Sequence, residues 1–537
     1  MPPLLRAAVI VPPLSDFYFT SHRFSSLGAH IVKNILERRG IKSSFFDFPL
    51  LKPRGTPLPL PPALFHLQPF LIENETSRLS FFTRFRRYGP DIQTCARMIV
   101  DARPDICFFS VFAFAYADSA LELVDLVKKS LPEVPIVMGG GGPSCLPEYF
   151  LRGTVDYVLT GEAEATLEPF LCEVQKSPPD LNTVPNLVWR ENGSIRRSAI
   201  NYITQGKDIE VVLQKTAQTS RLTTYSTSLS RGCPMNCTFC SSHFALGRPF
   251  RTPVLEKIDQ ALSSIIIDDN VHEKQLIINF EDDNLCADDF FLKTILTAIR
   301  SRFPCVEFIM ENGIDYRFLT PEKITWLTEN GMKKFNLSLG SIDADILRLK
   351  NRVYSFEQYE AILDLLDRHH LPNITYFICG FKEDTVDSIA LSLRYLAAQK
   401  TAIGISPFYA VPGIVGCTDP SLFKSGAASR CLGAACYPWN SSLSTETLVT
   451  TFRLARYINL TKDSNRTEIE SQLIDKIEDT QSLHTIVREP GTKAVRIIEI
   501  EGQDRVLVGS FFGDVTQSLP GRTLSRPNSG CPPGKGN

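Results

Sequence analysis

Three cysteines stand within eight residues, in Cys233-Pro-Met-Asn-Cys237-Thr-Phe-Cys240. Thiolates are soft ligands, and three on one loop can converge on a single metal centre. A four-iron cluster normally takes four protein ligands. This spacing supplies three and leaves one iron open for a cofactor or substrate, the logic by which a catalytic zinc site keeps an open position. Structural zinc is the competing reading. It wants a fourth ligand, which His243, three residues past Cys240, can offer. Pro, Asn and Gly around the cysteines mark an exposed loop rather than a buried group of inert thiols. From ligand chemistry alone two readings stand, a three-ligand iron–sulfur site and a four-ligand zinc site, and the ligand count separates them.

The elements that must position this loop come from apolar periodicity. Tyr225–Ser230, Gln275–Phe280, Val306–Glu311, Lys334–Leu339, Ile374–Ile378 and Ile403–Pro407 read as strands. Helical patterns fall between them near 254–267, 288–302, 321–330, 356–369 and 385–399. Six strand–helix units predict a parallel barrel, complete or open, with its active site on the loops after the strands. An earlier alternating run covers residues 7–175. Its strands are expected at Ala7–Val11, Ile106–Val111, Pro135–Met138 and Val155–Leu159. Its helices are expected at Leu27–Arg39, Ser119–Ser130 and Ala163–Val174. That pattern predicts a doubly wound parallel sheet whose ligands lie beyond the carboxyl ends of the strands. The fold class is therefore α/β, a parallel-sheet domain followed by a six-unit partial barrel.

The expected domains are 1–175, a connector at 176–220, the barrel at 221–415, a partly helical region at 416–517 and a disordered tail at 518–537. The segment 49–69 is rich in proline and reads as irregular. The tail is rich in Gly, Pro, Ser and Arg, and Cys531 within it is not a credible ligand.

A chain of 537 residues is too long for one core, which agrees with two or more domains. The net charge of −2 argues against a general binder of nucleic acid or of a membrane surface. No apolar run approaches the roughly 18–20 residues of a membrane span. Met1–Pro13 makes a poor signal peptide and a better first strand, so a cytoplasmic setting is expected. In such a chain, 14 cysteines read as thiols or metal ligands rather than disulfides. Cys417, Cys431 and Cys436 are loosely spaced and read as unbound thiols.

The Cys-x3-Cys-x2-Cys loop, with aromatic Phe239 just before the last cysteine, resembles the signature of the radical-SAM superfamily. The resemblance implies a [4Fe–4S] cluster held by Cys233, Cys237 and Cys240, with S-adenosylmethionine chelated at the open iron. Reductive cleavage would yield a deoxyadenosyl radical that abstracts hydrogen from a substrate. A reducing electron donor such as a flavodoxin or ferredoxin is then a partner. Later segments match with varying quality. Phe239, Glu281, Asp283, Ser341 and Gly380 align with positions that contact S-adenosylmethionine. Arg251 and Arg352 lie in elements that also recur. Where many relatives carry a Glu, this chain has Gly340. From the residues alone, Glu281 and Asp283 read equally well as part of a helix N-cap run, and Gly380 as a plain turn.

The first domain resembles the cobalamin-binding domain of one large radical-SAM class. Pro104-Asp105-Ile106 leading to Ser110, the run Gly139–Gly142, and Gly161-Glu162-Ala163-Glu164 occur in that order. The resemblance implies cobalamin near Ser110, Gly139, Gly140, Gly161 and Glu162, whose other reading is turn-making at strand ends. No Asp-x-His-x-x-Gly loop occurs, so no protein imidazole is expected on cobalt. The implied reaction is cobalamin-dependent methylation of a small molecule or peptide. The rival enzyme readings are rearrangement or cyclisation without cobalamin, and a methylthiotransferase acting on transfer RNA. The latter needs three more cluster cysteines, and Cys95, Cys107, Cys145 and Cys172 are too dispersed. The non-enzyme rival is a zinc or iron–sulfur sensor module.

Overall fold

The computed structural model describes residues 6–71, 81–82, 84–268, 275–353, 355–463, 482–488, 495–501 and 504–511. The expected disordered tail at 518–537, Cys531 and the stretch 464–481 lie outside the described residues.

Apolar runs with one residue in two facing each way build the first sheet. Ala8 and Ile10 of Arg6–Val11, with Cys107 and Phe109 of Ile106–Ser110, pack on one face against Ile92, Ile99, Leu123 and Val127. Ala7, Val9, Val11 and Phe108 pack on the other against Ile31, Ile35, Leu167 and Leu171. Both faces are therefore covered by helices, which explains why the strands read as continuous apolar runs rather than alternating ones. The spatial order is Ser194–Arg197, Leu187–Glu191, Tyr157–Leu159, Ile136–Gly139, Ile106–Ser110, Arg6–Val11, Lys42–Asp47. Arg6–Val11 pairs in parallel with both Lys42–Asp47 and Ile106–Ser110. The chain order reverses between those two pairings, which puts the topological switch point beyond Val11 and Ser110.

The connector does not stand apart. Leu187–Glu191 and Ser194–Arg197 form an antiparallel hairpin that extends the first sheet. Its turn residues Asn192 and Gly193 both have positive φ. That is the two-residue turn an Asn-Gly pair favours, a signal present in the sequence. Gln214–Gln218 instead pairs antiparallel with the first barrel strand.

Six parallel strands form the second unit: Leu222–Thr227, Gln275–Phe280, Glu307–Ile309, Phe335–Gly340, Asn373–Cys379 and Ala402–Pro407. The first three make one sheet and the last three another. Parallel bridges Phe308–Met332 and Ile314–Leu337 join the two. The barrel is open, because the outer edge of the first strand is taken by Gln214–Gln218. Helices start where caps direct them. Thr320 accepts from Lys323 N, Ser355 from Gln358 N, and Thr385 with Ser388 forms a capping box. The first strand corrects the expected Tyr225–Ser230, because Leu229 and Ser230 are drawn off the ladder by Asp282. After the helix Thr445–Asp463, three antiparallel strands, Ser482–Arg488, Val495–Glu501 and Asp504–Phe511, form a further sheet that the sequence reading did not foresee. Among the described residues no helix is long and apolar enough to cross a membrane.

Candidate functional site

The cysteine loop leaves the first barrel strand at its carboxyl end and is tied down from three sides. Asp282 Oδ1 accepts from Leu229 N at 2.9 Å and from Ser230 Oγ. Arg231 and Arg251 exchange backbone hydrogen bonds of 2.8 and 3.0 Å. Gly232 has φ +77°, and a Cβ there would fall 2.3 Å from the Pro249 carbonyl oxygen, so the turn needs glycine. Thr238 N donates to Lys350 O at 3.2 Å, and Asn351 Nδ2 to Asn236 O at 3.2 Å. The segment 350–352 thus clamps the loop from the fourth strand's side.

All three loop thiols are free. Cys237 Sγ accepts from Arg352 Nη1 at 3.6 Å, and Cys233 Sγ from Asn284 Nδ2 at 3.8 Å. Cys240 Sγ lies 3.3 Å from Ser242 Oγ. Burial pushes the Cys233 thiol up. The sulfurs face these protein partners, and among the described residues no three His, Cys, Asp or Glu side chains are gathered as a metal-holding set. His243 follows the loop, and its ring lies 4.2 Å from that of Phe244. Arg352 is buried and also bonds Leu339 O at 3.1 Å and Asp315 at 3.4 Å, so a fixed cation faces Cys237.

The other candidate residues separate. Phe239 packs on Phe381 at 5.3 Å, beside the loop after the fifth strand. Asp283 keeps an exposed side chain, desolvation pushes its carboxyl up, and Ser242 is its hydrogen-bond partner. It thus lies against the cysteine loop. Glu281 points elsewhere, toward the N-terminal domain, where Ser25 Oγ donates to its Oε2. Ser341 is buried and accepts from Asp343 N at 3.2 Å, a local turn contact. Gly380 has φ +98°. Its N–H and that of Phe381 both donate to Asp384 Oδ2 at 2.8 Å. Asp384 is buried, with its carboxyl pushed up to about 6.

At the switch point lies a cavity of about 330 Å³. Ser110, Gly139, Gly140, Gly161 and Glu162 all line it, with Phe24 and Phe112. Ser228, Arg231, Leu246 and Glu281 line it from the barrel side, so the two domains share its wall. Gly140 has φ +109°, and a Cβ there would sit 2.6 Å from the Val111 carbonyl oxygen. This glycine lets two strand-end loops touch. Glu162 Oε2 accepts from Arg251 Nη1 and Ile203 N, both at 2.8 Å. Its Oε1 is buried with no hydrogen-bond partner. Burial pushes the Glu162 carboxyl up despite the arginine. Arg231 Nη2 reaches Glu164 Oε1 at 3.4 Å. Two buried ion pairs therefore fasten the Gly-Glu-x-Glu segment to the arginines that flank the cysteine loop. Arg251 is held by Glu162 and by the carbonyls of Ile203 and Leu246, an anchoring role.

Sequence reasoning missed Asp282, Asp384 and the segment Asp16–Ser26. In Glu281-Asp282-Asp283 nothing in residue type distinguishes the buried buttress from its neighbours. Ser25 and Arg23 reach the barrel only through domain packing, which leaves no local signal.

The family model of the radical SAM superfamily matches residues 227–396, and that of the B12 binding domain matches residues 84–171. An uncharacterised methyltransferase of Pyrococcus horikoshii is 22% identical over 329 residues, 58% of this chain and 68% of that protein. The hopanoid C-3 methylase of Methylococcus capsulatus is 26% identical over 267 residues, 48% of this chain and half of that protein's length. The radical S-adenosylmethionine methyltransferase TsrM of Kitasatospora setae, solved with cobalamin and an iron–sulfur cluster bound, has a similar fold. The TM-score is 0.54 at 14% identity, covering 77% of each chain.

Proposed function

Because the chain belongs to the cobalamin-binding class of the radical SAM superfamily, we propose that it transfers a methyl group to an unactivated carbon of a small molecule. The observation that carries this reading is the shared wall of the switch-point cavity. Ser110, Gly139 and Glu162 line it from one domain, and Ser228, Arg231 and Glu281 from the barrel. Residues of both domains would thus hold the nucleotide tail of a bound cobalamin, which would supply the methyl group.

The donor set fits the groups implied. Three free thiols on one loop would leave one iron of a four-iron cluster open for a cofactor. Cys233, Cys237 and Cys240 would hold the cluster, in place of their present partners Asn284, Arg352 and Ser242. The cavity is at the low end of ligand-pocket volumes, the size for a nucleotide tail rather than a macrocycle. Its unpartnered Glu162 Oε1 offers an acceptor to an N–H donor. When bound, the cluster supplies the electron that cleaves S-adenosylmethionine, and cobalamin supplies the methyl group. The chain's own residues do the positioning. Asp282 and the segment 350–352 hold the cysteine loop. Arg352 sets a positive charge beside Cys237. Phe239 and Phe381 close the fifth-strand side against water. The electron comes from a reduced flavodoxin or ferredoxin, and the free thiols suit the cytoplasm.

The test is anaerobic purification with iron, sulfide and cobalt determination, followed by a deoxyadenosine assay under reduction. About four irons, stoichiometric cobalt, and deoxyadenosine that disappears in Cys237→Ala are expected. Zinc in place of iron, with no deoxyadenosine after reconstitution, would sink the reading.

A further inference from the structure

The switch-point cavity changes chemistry with depth. Where the strand-end loops meet the barrel, Glu162, Glu164 and Glu281 line it, and Arg231 is the one cation among its lining residues. Arg231 Nη2 is already engaged by Glu164 Oε1 at 3.4 Å and by Glu210 O at 3.1 Å. A phosphate would find no free counter-charge at this mouth. The inner wall differs. Val9, Phe108 and Val137 of the sheet form it with Ile31 and Val32 of helix Leu27–Arg38. None of these five side chains carries a polar atom.

The backbone behind the inner wall is spent as well. Val9 pairs in parallel with Phe45 on one side and Phe108 on the other. Val137 pairs with Phe108 and Tyr157. Ile31 and Val32 stand in the second turn of their helix, past the amides that a helix start leaves open. A polar group pushed to this depth meets neither donor nor acceptor, and leaving it unpaired costs affinity. A flat apolar ring loses nothing there and gains burial. The unpartnered acceptor Glu162 Oε1 belongs to the strand-end loop and not to this wall.

We propose that this depth selects the base at the end of the corrinoid's nucleotide tail, accepting a benzimidazole and rejecting a purine, with Val9, Val32 and Val137 as specificity-determining residues. The proposal rests on the cobalamin reading above, in which the cavity holds that tail. The two kinds of base differ at the edge remote from the ribose. Dimethylbenzimidazole carries two methyl groups there, whereas adenine carries its amine and ring nitrogens. The methyl edge matches the inner wall, and the purine edge would be stripped of water without a partner. The phosphate stays outside, and the neutral base is the part that enters.

The probes are three corrinoids in their aqua forms: cobalamin, its analogue with adenine as the base, and cobinamide, which lacks the nucleotide. Each is titrated into the anaerobic reconstituted full chain, with binding read by calorimetry and from the visible corrin spectrum. Cobalamin is expected to bind at least about tenfold tighter than the adenine analogue, and cobinamide more weakly than cobalamin. Val137→Thr puts a hydroxyl on the inner wall at nearly unchanged volume and should narrow cobalamin's lead at least about threefold. Equal or reversed affinity for the two bases would overturn the proposal, as would cobinamide binding as tightly as cobalamin. A lead that Val137→Thr leaves unchanged would remove the base from this wall. If that variant fails to fold, Val32→Thr, at a half-buried helix position, makes the same test. Binding of all three corrinoids without preference removes the base selection alone. Binding of none removes the cobalamin reading on which it rests.

Discussion

Asp384 shows how one buried carboxyl can serve a loop and set a pH response. It accepts from the N–H groups of Gly380 and Phe381 and from Ser388. Burial nevertheless dominates, and its carboxyl stands near 6 against an ordinary 3.8. The folded chain therefore holds this proton more tightly than the unfolded chain does. Stability is gained as pH falls from about 6 toward 3.8 and lost as pH rises through 6, a swing of about 3 kcal/mol for such a shift. Asp384→Asn keeps the shape and can still serve all three partners. The fall in unfolding temperature between pH 5 and pH 7.5 should be shallower in this variant than in the parent, as read by circular dichroism. An equally steep fall would show that the carboxyl is ionised in the native state. Asp282, also near 6, buttresses the cysteine loop in the same way.

At the scale of elements, the decisive contacts join one domain's strand-end turn to the other's cysteine loop. Arg251–Glu162 is buried on both sides, with 9% and 0% of the side chains accessible. Arg251→Met leaves Glu162 uncompensated and should cost about 3–5 kcal/mol, while the double variant with Glu162→Leu should recover most of it. Urea unfolding of the single and double variants checks this, and additive losses would contradict it. Gly140→Ala tests the neighbouring loop. Its φ of +109° and the 2.6 Å approach to Val111 O leave no room for a methyl group. A loss of about 2 kcal/mol or more is expected, with cobalt content falling well below one per chain.

For the whole molecule, a ligand held in the shared cavity would make domain docking and its own binding one equilibrium. A ligand that binds only the docked native state stabilises it by mass action, about 2.7 kcal/mol at a hundredfold excess over Kd. Hydroxocobalamin should therefore raise the unfolding temperature of the full chain even when Cys237→Ala has removed the cluster. The same addition should do little for Gly140→Ala. A shift that vanishes in Cys237→Ala would mean that cobalamin docking depends on the iron site.

Much of this was written in local sequence. The spacing of Cys233, Cys237 and Cys240, the six barrel strands and their helices, and the glycines at the first sheet's strand ends all follow from residue type and period. Such patterns encode which face of an element is buried, and the cap residues state where helices begin. Lys42–Asp47 and helix Ile92–Asp101 were missed because Ser43 and Ser44 break the strand's apolar run and the helix follows a polar stretch. The hairpin at Asn192-Gly193 has its turn signal in the sequence itself. The tertiary structure alone decided the rest. Asp282 rather than its neighbours holds the loop, Glu281 turns to Ser25, and Glu162 is shared between the cavity and Arg251. Arg23 and Ser25 meet Glu311 and Glu281 of the barrel across more than two hundred residues of chain. Local sequence records what a residue prefers beside its neighbours, and contacts of that separation exist only once two separately built sheets have docked.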